Sequence, residues 1–470
     1  MLKAQRDYLV NKLNKKIMKI FIITLFSLIS FFTTNGFGQG DRGDIIIQYF
    51  DADVELTVIG DGGDAVSNPQ DLEFHPDLTR NELWVVMKGT EASGSSTVTF
   101  YDTGEDGQST ILKNDVNNWH FMSLTSGLAF SEDNYNWATS PNVWDANHDG
   151  GVAFTGPALW SSDMAIYGEW TPGNGSHLDM LHESSYCQGI AWETENVFWV
   201  YDGYIGDIVR YDFVDDHGAG ESYHGDAKIL RYGGLDLVKD PGGNVVSHMI
   251  LDQATGWLYA VDNGNDRVIR LNINTGSIAG NPSYGPHEAL AQYKNVDDFD
   301  WEEVITTGLE SPSGIALINN KLLVADHATG DIIVYQTEGE YAFTEWFRIE
   351  TDNPGIQGIE ICPDGRIYYV NEITNKIIRL DAPTLSVKQE EKIEFNIYPN
   401  PSTGIINIVS SALPNGKIEI RNMIGELIYS SNYNGNNEIV DIETANGLYF
   451  VSVYDGESNL IGTEKVTINK

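Results

Sequence analysis

The run Asp145-Ala-Asn-His-Asp-Gly-Gly puts three oxygen-bearing side chains, Asp145, Asn147 and Asp149, at alternate positions ahead of two glycines. Many calcium loops begin with this spacing, because a hard cation collects about six to eight oxygen ligands around a tight turn. The bidentate Glu that closes such a loop is missing, since Gly156 occupies its place. Calcium here must borrow ligands from other loops. The alternative is an Asx-rich turn, in which the same side chains bond their own backbone. Trp144 and Trp160 flank the run. An exposed pair of indoles beside Asp145 would stack on a sugar ring or a peptide, whereas buried ones would be packing.

Other chemistries leave less trace. There is no Gly-x-Ser-x-Gly elbow, His-Glu-x-x-His pair or phosphate-binding loop. Two cysteines, Cys187 and Cys362, fit neither a disulfide framework nor a zinc-thiolate cluster. The formal net charge of -40, with only 28 basic residues, excludes a nucleic-acid partner, whose phosphates need a basic surface. The ten histidines fall mostly in long connecting segments: His177 and His182 in one, His217 and His224 in another, with His120 and His287 in similar stretches.

The elements that carry these residues repeat. Six tetrapeptides align: Asp71-Leu-Glu-Phe, Gly127-Leu-Ala-Phe, Gly189-Ile-Ala-Trp, His248-Met-Ile-Leu, Gly314-Ile-Ala-Leu and Gly358-Ile-Glu-Ile. Each is preceded by Gln or Ser, at Gln70, Ser126, Gln188, Ser247, Ser313 and Gln357. A second apolar strand follows most of them and ends on a polar residue, as in Val197–Asp202 and Trp257–Asp262; a third follows that, as in "RVIRLN" from Arg267. Short β-rich strands in units of this length make an all-β array, and six units make a six-bladed β-propeller. The run "LYAVDNGNDRVIRLN" resembles the NHL-repeat propellers, and the propeller is expected over residues 39–382. The sixth unit runs out of chain before a fourth strand. We expect Ile45–Phe50 to supply it from the N-terminus, beside Ile377–Leu380, which would remove an exposed edge.

Propeller topology then sorts the candidates. Inner strands start on one face, called here the entry face, and the loop carrying Asp145 lies on that face after the second strand of blade 2. Asp71 and His248 replace the usual Gly on blades that face each other across the ring. With Glu73, Gln188, Gln357 and Glu360 they are expected to line the channel mouth, either as a site or as a water-filled polar lining. Asp202, Asp262 and Asp326 recur at strand ends and are expected to cap turns. One NHL-type relative, the peptidyl-hydroxyglycine lyase domain of peptide amidation, holds zinc through histidines near the axis. That resemblance implies a set of His248 with His182 and His327, in which about three neutral imidazoles would leave one coordination position open.

Both ends of the chain read as addresses. Lys15, Lys16 and Lys19 precede an apolar run, Ile20 to Phe32, too short to span a membrane. Gly36 and Gly38 then fit a signal-peptide cleavage before Gln39, so residues 1–38 are expected to be removed; the true start is then either Met1 or Met18. No other stretch is apolar enough to span a membrane. After a polar linker at 383–392, residues 393–470 resemble the C-terminal sorting domain of the type IX secretion system of Bacteroidetes. The matching residues are Tyr398-Pro-Asn-Pro, Gly404, Asn446-Gly-Leu-Tyr and Lys465. The resemblance implies a small β-sandwich, the type IX translocon as partner, and a secreted or surface-attached product. Two functions remain open: a recognition module that binds a peptide, glycan or small ligand on the entry face, with or without a metal, and a metal-dependent lyase or hydrolase with zinc at the hub.

Overall fold

Runs of Val, Ile, Tyr and Phe broken every few residues by Gly, Asn or Asp favour short strands joined by tight turns. The structure, a computed structural model, describes residues 45–382 and 395–470 apart from 51, 170–173, 222, 363, 411–414, 435–436 and 456–459. The expected signal peptide and linker lie outside the described residues. The chain divides into two units, up to Ala382 and from Pro383.

Among the described residues the first unit is a β-propeller whose strands form six sheets, antiparallel except for one parallel pairing on the third. Their inner strands are Pro69–Phe74, Gly127–Phe130, Cys187–Thr194, Met249–Asp252, Pro312–Ile318 and Ile356–Ile361. Each packs beside the next, and the sixth returns to the first. We number the blades in this order. Successive strand residues point to opposite faces, so each sheet packs against both neighbours. The core accordingly lies in the seams, one apolar cluster between each adjacent pair of blades. That is why strands such as Val197–Asp202 are buried along their whole length.

The aligned glycines sit where the next blade crowds the axis. A Cβ on Gly189 would lie 2.6 Å from the Ser247 carbonyl oxygen, which accepts a hydrogen bond from the Gly189 N–H. The preceding serines hold the same junctions: Ser126 Oγ donates to the Gln188 carbonyl and Ser313 Oγ to that of Ile356.

Ring closure differs from the expectation. Ile46–Tyr49 is a 3-10 turn, and the strand beside Lys376–Asp381 is Glu55–Gly60. A three-residue helical repeat puts both Ile46 and Tyr49 into the blade 5–6 seam, where the Tyr49 hydroxyl donates to the Leu380 carbonyl (3.0 Å). A strand would have pointed those two residues to opposite faces.

Trp160 also departs from expectation. It is fully buried in the blade 1–2 seam against Trp137, and its Nε1–H donates to Thr139 Oγ1 (2.9 Å), so it cannot stack on a ligand. A second surprise is an insertion in blade 4. Between its third strand, Arg267–Asn272, and its outer strand, Trp301–Ile305, the chain crosses to blade 3. There Gln292–Asp297 pairs in parallel with the outer strand Lys228–Tyr232, and Ser277–Ile278 pairs with Gln292–Asp297.

The second unit has two antiparallel sheets, of three and four strands, around Ile406, Ile418, Ile420, Val440, Val451 and Val466. Its motif residues are structural ties. Asn400 Nδ2 donates to the Lys465 carbonyl (2.8 Å), and Asn400 Oδ1 accepts the Thr467 N–H (3.0 Å). Asn446 Oδ1 accepts the N–H of Lys470 (2.8 Å).

Candidate functional site

Three regions hold the candidate side chains: the hub, the entry-face loops of blades 2 and 3, and the outer strand of blade 2. At the hub, a central cavity of about 130 Å³ is lined by Asp71, Glu73, Glu132, Trp192, His248 and Glu360 among others. Two of its carboxylates are already used. Asp71 Oδ2 accepts the Leu128 N–H and Glu73 Oε2 the Phe130 N–H, both at 3.0 Å, so blade 1 grips the inner strand of blade 2 through side chains. Burial, reinforced by the neighbouring Glu360, pushes the Glu73 carboxyl well above the usual range. Burial and then Asp71 push Glu360 up to about 8. The raised carboxyls of Glu73 and Glu360 make this lining a poor cation site.

The hub zinc set does not assemble. His182, His248 and His327 do not come within 4.8 Å of one another as a ligand group. Each faces its own acid: His248 Nε2 lies 3.5 Å from Asp71 Oδ1, His327 Nε2 2.9 Å from Glu372 and His182 Nδ1 2.9 Å from Glu288. The reason is placement: His248 starts an inner strand, His327 follows a second strand, and His182 follows the outer strand of blade 2.

Gln188 and Gln357 do not face an open mouth either. Gln188 Nε2 donates to the carbonyls of Tyr186 and Cys187. Gln357 Oε1 accepts the Val246 N–H and its Nε2 donates to the Asn244 carbonyl. Lys88 Nζ donates to the carbonyl of Gly243 (3.1 Å). The connector leading into blade 4 is thus held by blades 1 and 6, which requires it to cross the axis at the entry end. Asp240 shapes it by accepting the N–H groups of Gly242, Asn244 and Val245.

The Asp145 loop has turn geometry. Asp145 Oδ1 accepts the Asn147 N–H (2.9 Å), and Oδ2 those of Asp149 (3.2 Å) and Gly150 (3.1 Å). Burial opposes ionisation of this carboxyl, but the N–H donors outweigh it and hold it below the usual range. Asp149 Oδ1 accepts the Gly151 N–H (2.9 Å), while Asn147 is exposed. Asp202 and Asp326 cap their turns in the same way, as expected. Asp262 does not; it binds the Val238 N–H and Arg267.

Beside the Asp145 loop, four aromatic residues from separate segments meet. Trp144 packs edge-on to Tyr204 (ring centroids 4.5 Å) and lies 6.1 Å from Tyr186; Tyr204 lies 6.0 Å from Tyr284. Tyr204 is 45 % exposed, and the neighbouring Ile205 is exposed too. The Tyr284 hydroxyl donates to the Ala153 carbonyl and so ties the blade 4 insertion to the loop. Trp144 was legible as a candidate; Tyr204 and Tyr284 were not, because only tertiary structure brings them to it.

At the outer strand of blade 2, Asp179–Met180, two His-Glu dipeptides clasp each other. His182 directs its backbone N–H and Nδ1 at the two oxygens of Glu288, both at 2.9 Å. His287 does the same to Glu183, at 2.5 and 3.1 Å. Phe154 stacks on His182 (centroids 3.9 Å). His224 Nδ1 reaches Asp179 Oδ1 at 2.6 Å. Burial lowers the His224 pKa, but the bond to Asp179 and the charge of Glu288 outweigh it, for a net rise. Burial also opposes ionisation of Glu288, and the contacts with His182 and His224 reverse that, holding it below the usual range. The repeated His-Glu dipeptide was the one sequence signal that could have flagged Glu183 and Glu288.

Comparison with known proteins adds the export route. Residues 396–469 match the family model of the secretion system C-terminal sorting domain. The chain is therefore carried by type IX secretion to the cell surface or beyond. No helix among the described residues is long and apolar enough to cross a membrane. No curated protein matches the sequence. Among solved structures the chain is similar to PorZ, a surface component of the type-IX secretion system of Porphyromonas gingivalis: 13% identity, TM-score 0.34, covering 83% of this chain and 58% of that one. The chain thus spans less than two thirds of the length of PorZ. It is also similar to an auxiliary nutrient binding protein from Bacteroides ovatus, at 10% identity and TM-score 0.45, covering 70% of this chain and 77% of that one. A third likeness is to a streptogramin B lyase, at 12% identity and TM-score 0.36, covering 70% and 97%. These likenesses carry nothing about ligand or activity.

Proposed function

We propose that this exported protein is a six-bladed, NHL-like recognition propeller that binds an extracellular glycan or peptide on its entry face. The aromatic group of Trp144, Tyr186, Tyr204 and Tyr284 carries the reading. Its rings come from four loops, are held by contacts with one another, and leave Tyr204 nearly half exposed. Sugar C–H faces and peptide side chains bind well to such rigid, amphipathic platforms. The covered entry end of the channel argues for a ligand seated on the blade 2–3 loops, away from the axis. Lys239, whose Nζ lies 5.1 Å over the Tyr186 ring, adds a cation beside the platform. The hub lyase reading loses its support, because among the described residues His248 is the single histidine lining that cavity; its Nδ1 faces the Ser313 carbonyl, its Nε2 lies 3.5 Å from Asp71 without a hydrogen bond, and no second imidazole joins it. The test is a glycan and peptide screen of the full chain and of a Trp144→Ala/Tyr204→Ala double variant. Binding that requires both rings supports the proposal; a ligand bound equally by both proteins overturns it.

A further inference from the structure

His182, His224 and Glu288 each bring a ligand atom within 4.8 Å of the other two. They come from three parts of the fold. His182 follows the outer strand of blade 2. His224 lies in the connector before the outer strand of blade 3. Glu288 lies in the insertion from blade 4. His224 Nδ1 faces Asp179 Oδ1, so the carboxylate holds the ring proton on Nδ1 and leaves Nε2 with its lone pair free to ligate. That Nε2 is 3.7 Å from Glu288 Oε2, and His182 Nδ1 is 2.9 Å from the same oxygen. Two ligands on one tetrahedral zinc, each at about 2.0–2.2 Å, lie roughly 3.4 Å apart, between these two separations.

Hydrogen bonding alone leaves this cluster incomplete. His182 is 5 % exposed, yet its Nε2 is buried without a hydrogen-bond partner. Asp179 is 1 % exposed, and its Oδ2 is likewise unpartnered. Buried polar atoms are nearly always satisfied, and two of the nine unpartnered ones among the described residues belong to this cluster, one on the far side of the His182 ring from Glu288 and one on the carboxylate that orients His224. The His120 ring lies 5.6 Å from that of His182, so a further imidazole stands beside the group.

We propose that His182, His224 and Glu288 hold one divalent transition-metal ion of the zinc class, with Asp179 orienting His224. Two imidazoles and one carboxylate suit zinc; calcium requires a shell of oxygens. Three protein ligands leave a fourth position for water or for an anionic group of a bound molecule. The ion would also fasten the blade 4 insertion to blades 2 and 3. None of this depends on the aromatic surface being a binding site.

The test uses the full chain without an affinity tag, stripped with a chelator and titrated calorimetrically with zinc and, separately, with calcium. One zinc per chain is expected, with cobalt giving the visible absorption of a four-coordinate site. His224→Ala and Glu288→Gln should each weaken zinc at least about 100-fold, and Asp179→Asn about 10- to 100-fold, as removal of an orienting partner does. Melting curves of the chelated proteins check that each variant folds, and Glu288→Gln, which preserves shape, carries the test should His224→Ala fail to fold. Asp145→Asn should bind zinc as the parent does. Absence of stoichiometric zinc binding overturns the proposal, as does binding unchanged in His224→Ala and Glu288→Gln, which would place the ion on other imidazoles.

Discussion

His182 and Glu288 are 106 residues apart in the chain, and both oxygens of the Glu288 carboxylate are taken by His182, through its backbone N–H and its Nδ1. His287 and Glu183 repeat the pattern in reverse. This exchange joins the blade 4 insertion to the end of blade 2 without a strand pair. The parallel pairing of Gln292–Asp297 on blade 3 begins four residues beyond Glu288. Loss of one half of the clasp should therefore loosen that strand first. In a His287→Ala variant, hydrogen exchange of the 292–297 amides should speed up while the inner strands keep their protection. Equal protection in variant and parent would show that the clasp does not hold the insertion.

Arg231 supplies the second anchor under the same insertion. It is 3 % exposed and pairs with Asp202 and Asp207, while also donating to the Glu183 carbonyl and the Tyr293 hydroxyl. Burial raises the Asp202 carboxyl to about 6 even with Arg231 opposing that rise. Arg231→Met would leave Asp202 buried and uncompensated, and should cost about 3–5 kcal/mol of stability. Chemical denaturation measures it; a loss below about 1 kcal/mol would mean that the pair adds little beyond a surface bridge.

The hub carboxyls should make stability fall with rising pH. Glu360 sits at about 8 in the folded chain, against about 4.3 in an unfolded one. A carboxyl raised on folding favours the native state fully below its unfolded pKa, and that contribution is lost as pH rises through its folded pKa. The melting temperature should thus decline between about pH 4 and pH 8 through this group, with Glu73 acting in the same direction. Glu360→Gln should flatten the curve, and its advantage over the parent should grow with pH. Parallel curves for the two proteins would show that Glu360 is not the titrating group.

Trp160→Ala should destabilise by about 3–5 kcal/mol, because the indole is fully buried in the blade 1–2 seam and bonded to Thr139. Its surface binding should be unaffected in the folded fraction. A variant that melts like the parent would place Trp160 outside the core.

The parts of this fold that were legible in the sequence are those fixed by local rules. The tetrapeptides mark inner strands because only Gly tolerates the Gly189–Ser247 approach, and the Asp202 turn follows from Asx chemistry. The sorting domain was legible because its short motifs hold residues such as Asn400 and Asn446, whose side chains tie its last strand in place. The closing strand was misplaced because Ile45–Ile47 is apolar without alternation, which suits a buried turn as well as a strand. Trp160 was misjudged because composition does not distinguish a buried indole from an exposed one. The clasp, the connector over the axis and the aromatic platform were illegible for a common reason. They join irregular connectors far apart in sequence, where neither a two-residue nor a helical period operates.

The most direct test is to map where a ligand sits. Once a glycan or peptide is found in the screen, its binding should be measured to the parent, to Trp144→Ala/Tyr204→Ala and to Glu360→Gln, with hydrogen exchange followed on the complex. Binding should be lost in the aromatic double variant and kept in Glu360→Gln, with protection in the loops around residues 143–156 and 202–207. Binding that survives the double variant, with protection instead around Glu132, Trp192 and Gln253 at the mouth of the central cavity, would contradict an entry-face site.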